Sequence, residues 1–128
     1  MVLDTSAIVA IELREPGHEA LIAKINDASV LMIGAPTVLE TAMVLSSRLK
    51  RETLAEITVF LRRARVEIVP FTVEHMRVAV SAHYRFGRGR HPAKLKFGDC
   101  LCYATASVAA MPLLFTGGDF TLTDLEAA

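Results

Sequence analysis

The sequence predicts an α/β fold in which a short, mainly parallel sheet is covered by helices on both faces. Apolar runs such as residues 30–33 and 113–115 alternate along the chain with longer segments of helical periodicity. These runs are apolar at every position, which is typical of strands buried on both faces. No repeat or linker interrupts the 128 residues, so we expect one domain, residues 1–128.

The predicted elements follow the order strand, helix, helix, strand, helix, helix, strand, helix, helix, strand. They span residues 1–3, 5–13, 18–27, 30–33, 36–50, 52–64, 66–71, 73–86, 98–109 and 113–115. Thr5 or Ser6 is expected to cap the first helix and Thr72 the fifth, since a side-chain hydroxyl can accept free backbone N–H groups. Pro36 suits the first turn of its helix, where the missing N–H would be unpaired. Strands that alternate with helices favour a parallel sheet, and ligands then collect beyond the carboxyl ends of the strands.

The composition excludes several protein classes. Hydrophobic residues make up 52% of the chain and charged residues 22%, which excludes a disordered or fibrous protein. No run approaches the ~20 apolar residues that span a bilayer. Asp4 lies close to the first residue, where a secretory signal would have basic and then apolar residues, so we expect a cytoplasmic protein. Cys100 and Cys102 would point to different helix faces, and we expect them to be buried free thiols.

Positive charges are unevenly distributed, although Lys and Arg together equal Asp and Glu at 14 each. Six cations lie in residues 48–65 and five in residues 85–96. Such clusters indicate either a polyanionic partner or a solvated helix face. The second cluster overlaps a predicted loop, residues 87–97, with two glycines and a proline.

Four acidic residues are expected at the carboxyl edge of the predicted sheet. Asp4 directly follows the first strand, and Asp119 lies four residues beyond the last. Glu40 is in the opening turns of the helix after the second strand, and Asp99 opens an apolar helix. Each acid alone has a structural explanation: helix caps for Asp4 and Asp99, an exposed helix position for Glu40 and a turn for Asp119. Their shared location favours a common function.

Crowded carboxylates indicate a bound cation, because like charges at close range are unfavourable unless a cation neutralises them. Oxygen ligands without sulfur or paired histidines favour Mg²⁺, for which Mn²⁺ can substitute. A divalent ion with open coordination positions can activate water and stabilise charge on a phosphoryl group. The sequence therefore predicts phosphodiester hydrolysis.

The local sequences around these acids resemble those of PIN-domain nucleases, specifically the VapC-type toxins of bacterial type II toxin–antitoxin modules. The resemblance extends over essentially the whole chain and rests on LDTSA (3–7), APTVLET (35–41), FGDC (97–100), LLFTGGDF (113–120) and TD (123–124). It implies a PIN-like three-layer α/β/α fold and a Mg²⁺-dependent endoribonuclease.

The resemblance also implies roles for individual residues. Asp4 and Asp99 would be the main direct metal ligands, and Glu40 and Asp119 would complete the acidic cluster, partly through water. Hydroxyl residues beside a metal site hold its ligands or water in place, and here they would be Thr5, Ser6 and Thr116.

The implied partners are RNA, a second copy of the chain and a VapB-type antitoxin that masks the catalytic groove. Cations of the basic loop, Arg88, Arg90 and Lys94, would hold RNA phosphates. His91 in that loop is interpreted as an ordinary imidazole rather than a proton-transfer group. Lys96 departs from the family pattern, where relatives often have Asn, so contacts near Asp99 can differ.

Two other classes of protein are each excluded by residues at specific positions. A haloacid-dehalogenase phosphatase would have a second aspartate two residues after Asp4, where this chain has Ser6. A response regulator would close its third strand with an aspartate, whereas residues 69–72 read VPFT. Two alternatives remain: a non-catalytic PIN-like domain that binds RNA or a partner, and an enzyme that cleaves DNA. The second remains because metal-assisted hydrolysis does not depend on the 2′-hydroxyl.

Overall fold

A four-stranded parallel sheet lies at the centre of the structure, a computed structural model that describes residues 1–128. Its strands are β1 (Val2–Leu3), β2 (Met32–Gly34), β3 (Glu67–Val69) and β4 (Leu113–Leu114). They are arranged in the order β3-β2-β1-β4, and every pair is parallel. The prediction of a short parallel sheet is confirmed. The first and last strands are neighbours, and β4 lies at one edge of the sheet.

Six helices connect the strands, in the predicted order. They are α1 (Thr5–Glu12), α2 (His18–Asp27), α3 (Ala35–Leu49), α4 (Leu54–Arg63), α5 (Val73–Phe86) and α6 (Phe97–Ala109). Thr72 caps α5 together with the His75 side chain, and Pro36 lies in the first turn of α3, as predicted. None of these helices is long and apolar enough to span a membrane.

The helices form two layers, one on each face of the sheet. Successive strand residues point to opposite faces, so Val2 and Leu113 pack against α5 and α6. Leu3, Ile33 and Leu114 pack against the layer formed by α1 to α4. These two apolar cores confirm the three-layer α/β/α architecture. Both cysteines are free and buried, as expected.

The cap of α1 differs from the prediction. Asp4, not Thr5 or Ser6, is the N-cap, with an extended backbone (φ −88°, ψ 157°). Its Oδ2 accepts a hydrogen bond from the Ser6 N–H at 2.9 Å. Helix α1 begins at the residue immediately after Asp4, so only the aspartate is placed to accept the free N–H groups. The cap position is therefore occupied by one of the four acids.

The segment after β4 returns to the sheet edge. Leu113 forms a single parallel bridge with Ala127, and its N–H donates to the Glu126 carbonyl at 2.9 Å. Arg85, Tyr103 and Asp124 hold the same segment, and we refer to these three residues as the tail clasp. The Tyr103 hydroxyl donates to Asp124 Oδ1 at 2.5 Å, and Arg85 Nη2 donates to Oδ2 at 2.6 Å.

Candidate active site

A cleft of about 220 Å³ lies at the carboxyl ends of β1 and β4. It is lined by the four predicted acids, the three predicted hydroxyl residues and three apolar residues: Asp4, Glu40, Asp99, Asp119, Thr5, Ser6, Thr116, Val9, Val44 and Phe120. Segments as far apart as residues 4 and 119 thus meet at one place. The structure brings the seven polar site residues together, and their roles in metal binding and catalysis remain predictions.

Strand order explains why the two most distant acids meet. Asp4 directly follows β1, and its N–H donates to the Leu114 carbonyl of β4 at 3.0 Å. Asp119 follows β4 and therefore returns to the same edge of the sheet. Asp4 is buried, with 6% of its surface exposed, whereas Asp119 is exposed at the rim.

Ser6 links the Asp4 carboxylate to the segment that follows β4. Its hydroxyl donates to Asp4 Oδ2 at 2.5 Å and accepts the Thr116 N–H at 3.0 Å. The Asp4 carboxylate is thus held by both the backbone N–H and the hydroxyl of Ser6. Thr116 takes part through its backbone N–H, whereas the sequence suggested a role for its hydroxyl.

Glu40 is held by a group of buried threonine hydroxyls. The Thr5 hydroxyl donates to Glu40 Oε2 at 2.8 Å. The Thr41 hydroxyl donates to the Thr37 carbonyl at 2.8 Å and lies 3.3 Å from Thr5 Oγ1. Thr5, Thr37 and Thr41 are all buried. This arrangement orients one oxygen of a half-buried carboxylate towards α1.

Asp99 is in the first turn of α6, where its Oδ2 accepts the Lys96 N–H at 2.7 Å. Burial is the largest influence on this carboxyl and raises its pKa. The negative charges of Asp119 and Asp4 raise the pKa further, while the hydrogen bond and the charge of Lys96 oppose the shift. Asp99 is therefore close enough to both other aspartates to interact with them electrostatically.

The chemistry of the cleft fits a hard divalent cation. Its polar side chains offer only oxygen donors, the kind that Mg²⁺ prefers. The capping hydrogen bonds of Asp4 and Asp99 both use Oδ2, which leaves the two Oδ1 atoms available. No group of three or more acid, histidine or cysteine side chains in the structure is placed to hold a metal ion.

Apolar residues of the cleft wall were not identified from the sequence. Val9 lies four residues after Thr5 on α1, and Val44 lies four residues after Glu40 on α3. Residues four apart share a helix face, so this spacing was the signal that could have located them. Phe120 directly follows Asp119 and is buried.

The basic loop lies outside the cleft lining. Arg88, Arg90 and Lys94 are exposed, and the Arg90 guanidinium lies 5.1 Å from the centre of the Tyr84 ring on α5. RNA contact by these three residues remains a prediction. His91 has a structural contact, because its Nδ1 accepts the Ala93 N–H at 3.1 Å and its ring packs edge-on against Phe86.

A larger cavity of about 560 Å³ lies between α2 and α4, away from the acids. Six of its ten lining residues are hydrophobic, among them Ile22, Val59 and Phe60. Its two carboxylates, Glu12 and Glu56, are too few to resemble the acidic cleft. Burial raises the pKa of Glu12, and the charge of Glu56 adds to this shift. The smaller cleft has the grouped oxygen ligands and remains the candidate active site.

Comparison with known proteins identifies the family. The family model described as PIN domain matches residues 1–124. Ribonuclease VapC of Mycolicibacterium smegmatis is 42% identical over 127 residues, covering 99% of this chain and 98% of that protein. Ribonuclease VapC36 of Mycobacterium tuberculosis is 44% identical over 131 residues, covering 98% of this chain and 91% of that protein.

Solved structures share the fold. VapC20 of Mycobacterium tuberculosis, described as a sarcin–ricin loop cleaving toxin, superposes with a TM-score of 0.80 at 15% identity. The comparison covers 99% of this chain and 97% of VapC20. A chain of the VapBC2 complex of Rickettsia felis, bound to promoter DNA, gives a TM-score of 0.71 at 15% identity, covering 99% and 96%. The family match over almost the whole chain, together with identities above 40% to full-length relatives, shows that this chain belongs to the PIN domain family and to its VapC group.

Proposed function

We propose that this protein is a Mg²⁺-dependent endoribonuclease that acts as the toxin of a type II toxin–antitoxin module. One observation carries the proposal: carboxylates from four separate segments line a single cleft of about 220 Å³. The names of its relatives support RNA as the substrate, since the VapC proteins at 42% and 44% identity are named ribonucleases.

The residues of the cleft would share the work of holding the cation. Asp4 and Asp99 would bind Mg²⁺ or Mn²⁺ directly, while Glu40 and Asp119 would complete the site, partly through water. The bound ion would supply activated water and stabilise negative charge on the phosphodiester. Hydrogen bonds from Ser6 to Asp4, and from Thr5 to Glu40, hold these carboxylates in position.

RNA must approach a cleft whose own charges repel phosphate. The exposed cations Arg88, Arg90 and Lys94 precede α6, the helix that carries Asp99, and they would attract the RNA backbone. Val9, Val44 and Phe120 supply apolar surface within the cleft. In this proposal, binding depends on the basic loop and cleavage on the acids.

An RNA cleavage assay tests the proposal. The wild-type protein is expected to cut RNA with Mg²⁺ or Mn²⁺ and to stop when a chelator is added. Asp99→Asn should lower the rate by roughly 100-fold or more, since several kcal/mol of charge stabilisation depend on the ion. Asp27→Asn, an exposed position at the end of α2, is the matched control and should cleave like wild type. Wild-type cleavage by Asp99→Asn would refute the mechanism.

The same assay distinguishes the non-catalytic alternative, in which the domain binds RNA or a partner without cutting. In its favour, no group of three or more acid, histidine or cysteine side chains in the structure is placed to hold a metal ion. It predicts RNA binding without cleavage at any concentration of Mg²⁺ or Mn²⁺. A DNA strand of matching sequence, tested in parallel, shows whether the 2′-hydroxyl is required.

The proposed partner in the cell is a VapB-type antitoxin. Similar structures include a toxin–antitoxin complex from Klebsiella pneumoniae, VapBC2 of Rickettsia felis bound to promoter DNA, and FitAB bound to a DNA fragment. The cavity between α2 and α4 offers an apolar surface on which antitoxin side chains could be buried. A short neighbouring gene for a DNA-binding protein is the expected genomic context.

A homodimer is also proposed, through an apolar patch beside the cleft. Leu39 and Met43 of α3 are 63% and 64% exposed, and Phe97 at the start of α6 is 82% exposed. Glu40 and Gly98, which lie next to Leu39 and Phe97 in sequence, are in contact, so these exposed residues belong to neighbouring parts of α3 and α6. A second copy of the chain would bury this surface.

A further inference from the structure

Gly98 stands where the Glu40 carboxylate approaches the start of α6. A Cβ built on Gly98 would lie 2.1 Å from Glu40 Oε1, 2.6 Å from Cδ and 2.7 Å from Oε2. All three distances are shorter than real Cβ contacts. The Glu40 carboxylate therefore fills the space that a side chain at position 98 would need. Glu40 and Asp99, the residue after Gly98, are both candidate metal ligands.

Glu40 is also held from its other side. Its Oε2 accepts the hydrogen bond from Thr5, whose hydroxyl is buried beside Thr41. A carboxylate displaced from Gly98 must lengthen or break that bond. Thr5 and Gly98 together thus define one position for the Glu40 carboxylate, between α1 and α6.

The backbone does not explain the glycine. Gly98 is absent from the glycines with positive φ, which are Gly17, Gly89 and Gly117. It is the second residue of α6, and alanine is a better helix former than glycine. The requirement for glycine comes from the neighbouring carboxylate.

We propose that Gly98 is a positioning residue, whose missing side chain lets the Glu40 carboxylate reach the first turn of α6 beside Asp99. The inference rests on the proposed metal-binding function of the cleft and deepens it. Any side chain at position 98 would push Glu40 away from the other acids and weaken cation binding, even though all four acidic residues are still present.

The first test compares two glycine substitutions. Gly98→Ala should weaken Mn²⁺ binding, measured by titration calorimetry, by about tenfold or more, as loss of ligand support typically does. Its melting temperature should stay close to that of wild type, because the better helix propensity of alanine offsets the lost hydrogen bond from Thr5. A purely structural role would instead lower the melting temperature and leave Mn²⁺ affinity unchanged.

Gly118→Ala is the matched control. Gly118 precedes Asp119 as Gly98 precedes Asp99, it has no positive φ, and its Cβ would meet nothing nearer than Thr121 Oγ1 at 4.0 Å. This variant should bind Mn²⁺ like wild type. Equal affinities of Gly98→Ala and Gly118→Ala would overturn the inference.

A shorter acid should rescue the defect. In the Gly98→Ala background, Glu40→Asp removes one methylene and makes room for the new methyl group. The double variant should bind Mn²⁺ more tightly than Gly98→Ala, although Glu40→Asp alone weakens binding. Losses that simply add would contradict the proposed contact.

A metal-free crystal structure of Gly98→Ala separates this inference from the proposed function. The Glu40 carboxylate should have moved away from α6, with its hydrogen bond from Thr5 lost. An unmoved Glu40 would refute the role of Gly98 even if wild type binds Mn²⁺ well. If wild-type protein binds no Mn²⁺, the proposed metal site is refuted instead. The position of Glu40 in the variant would still show whether Gly98 positions that carboxylate.

Discussion

Asp4 and Asp99 each combine a capping role with a candidate ligand role. From sequence, helix capping and metal binding were competing explanations for both residues. The structure shows that both carboxylates cap through Oδ2, Asp4 to the Ser6 N–H and Asp99 to the Lys96 N–H. The two roles are compatible, because a carboxylate fixed by one oxygen presents the other in a defined direction.

Ser6 is the single residue whose loss should loosen the cleft most directly. Ser6→Ala removes a hydrogen bond to a charged carboxylate and leaves the Thr116 N–H without its acceptor. We expect a loss of about 1–2 kcal/mol in the free energy of unfolding, measured by urea denaturation, together with lower RNA cleavage. Ser29→Ala, at an exposed position, is the control and should change stability by less than about 0.5 kcal/mol. Equal stability of the two variants would contradict this account.

At the scale of secondary-structure elements, the tail clasp joins α5, α6 and the segment after β4. Arg85 comes from α5, Tyr103 from α6 and Asp124 from the tail. The hydrogen bond from Tyr103, and then that from Arg85, lowers the pKa of Asp124. Burial and the same hydrogen bond raise the pKa of Tyr103 to about 12. The clasp thus connects the segment after β4, which carries Asp119, to α5 and α6.

The contribution of the tail clasp to the stability of the folded protein should depend on pH. Because the pKa of Asp124 is lower in the folded protein, its charged form stabilises the fold above the unfolded-state pKa of about 3.9. That stability is lost as the pH falls through the lower, folded-state pKa. We expect Asp124→Asn to be less stable than wild type at pH 7, with the difference shrinking below about pH 4, in thermal unfolding across this range. A difference that stays constant with pH would show that the charge of Asp124 plays no part.

Local patterns were sufficient to predict most elements. The apolar runs at β2 and β4 and the helical spacing in α3 and α5 are properties of neighbouring residues, and the structure has strands and helices there. The cap of α1 was predicted wrongly because Asp4, Thr5 and Ser6 are all good capping residues, and the choice depends on where β1 ends. The packing of Arg90 on Tyr84 was also not predictable, because it depends on how a loop folds back on α5.

At the scale of the whole molecule, strand order assembles the site. Alternating strands and helices predicted a parallel sheet, and therefore a common edge for the acids. The adjacency of β1 and β4, which brings Asp4 and Asp119 together, could not be read from the sequence, because it depends on chain crossover in three dimensions. The contact between Glu40 and Gly98 is of the same kind, since it depends on α3 packing beside α6.

The oligomeric state tests the proposed apolar patch. Met43→Arg places a charge in the surface that a second copy would bury, so we expect a dimer in wild type and a monomer in the variant by analytical ultracentrifugation. Met76→Arg, on the exposed side of α5, is the matched control and should remain dimeric. A monomer produced only by Met76→Arg would place the interface on α5 instead.

Crystals grown with Mn²⁺ offer the most direct test of the central claim, because anomalous scattering locates the ion independently of activity. We expect a manganese peak inside the acidic cleft, within direct coordination distance of the Asp4 and Asp99 carboxylates. An empty cleft in crystals of a protein that cleaves RNA with Mn²⁺, or a peak elsewhere on the molecule only, would contradict it.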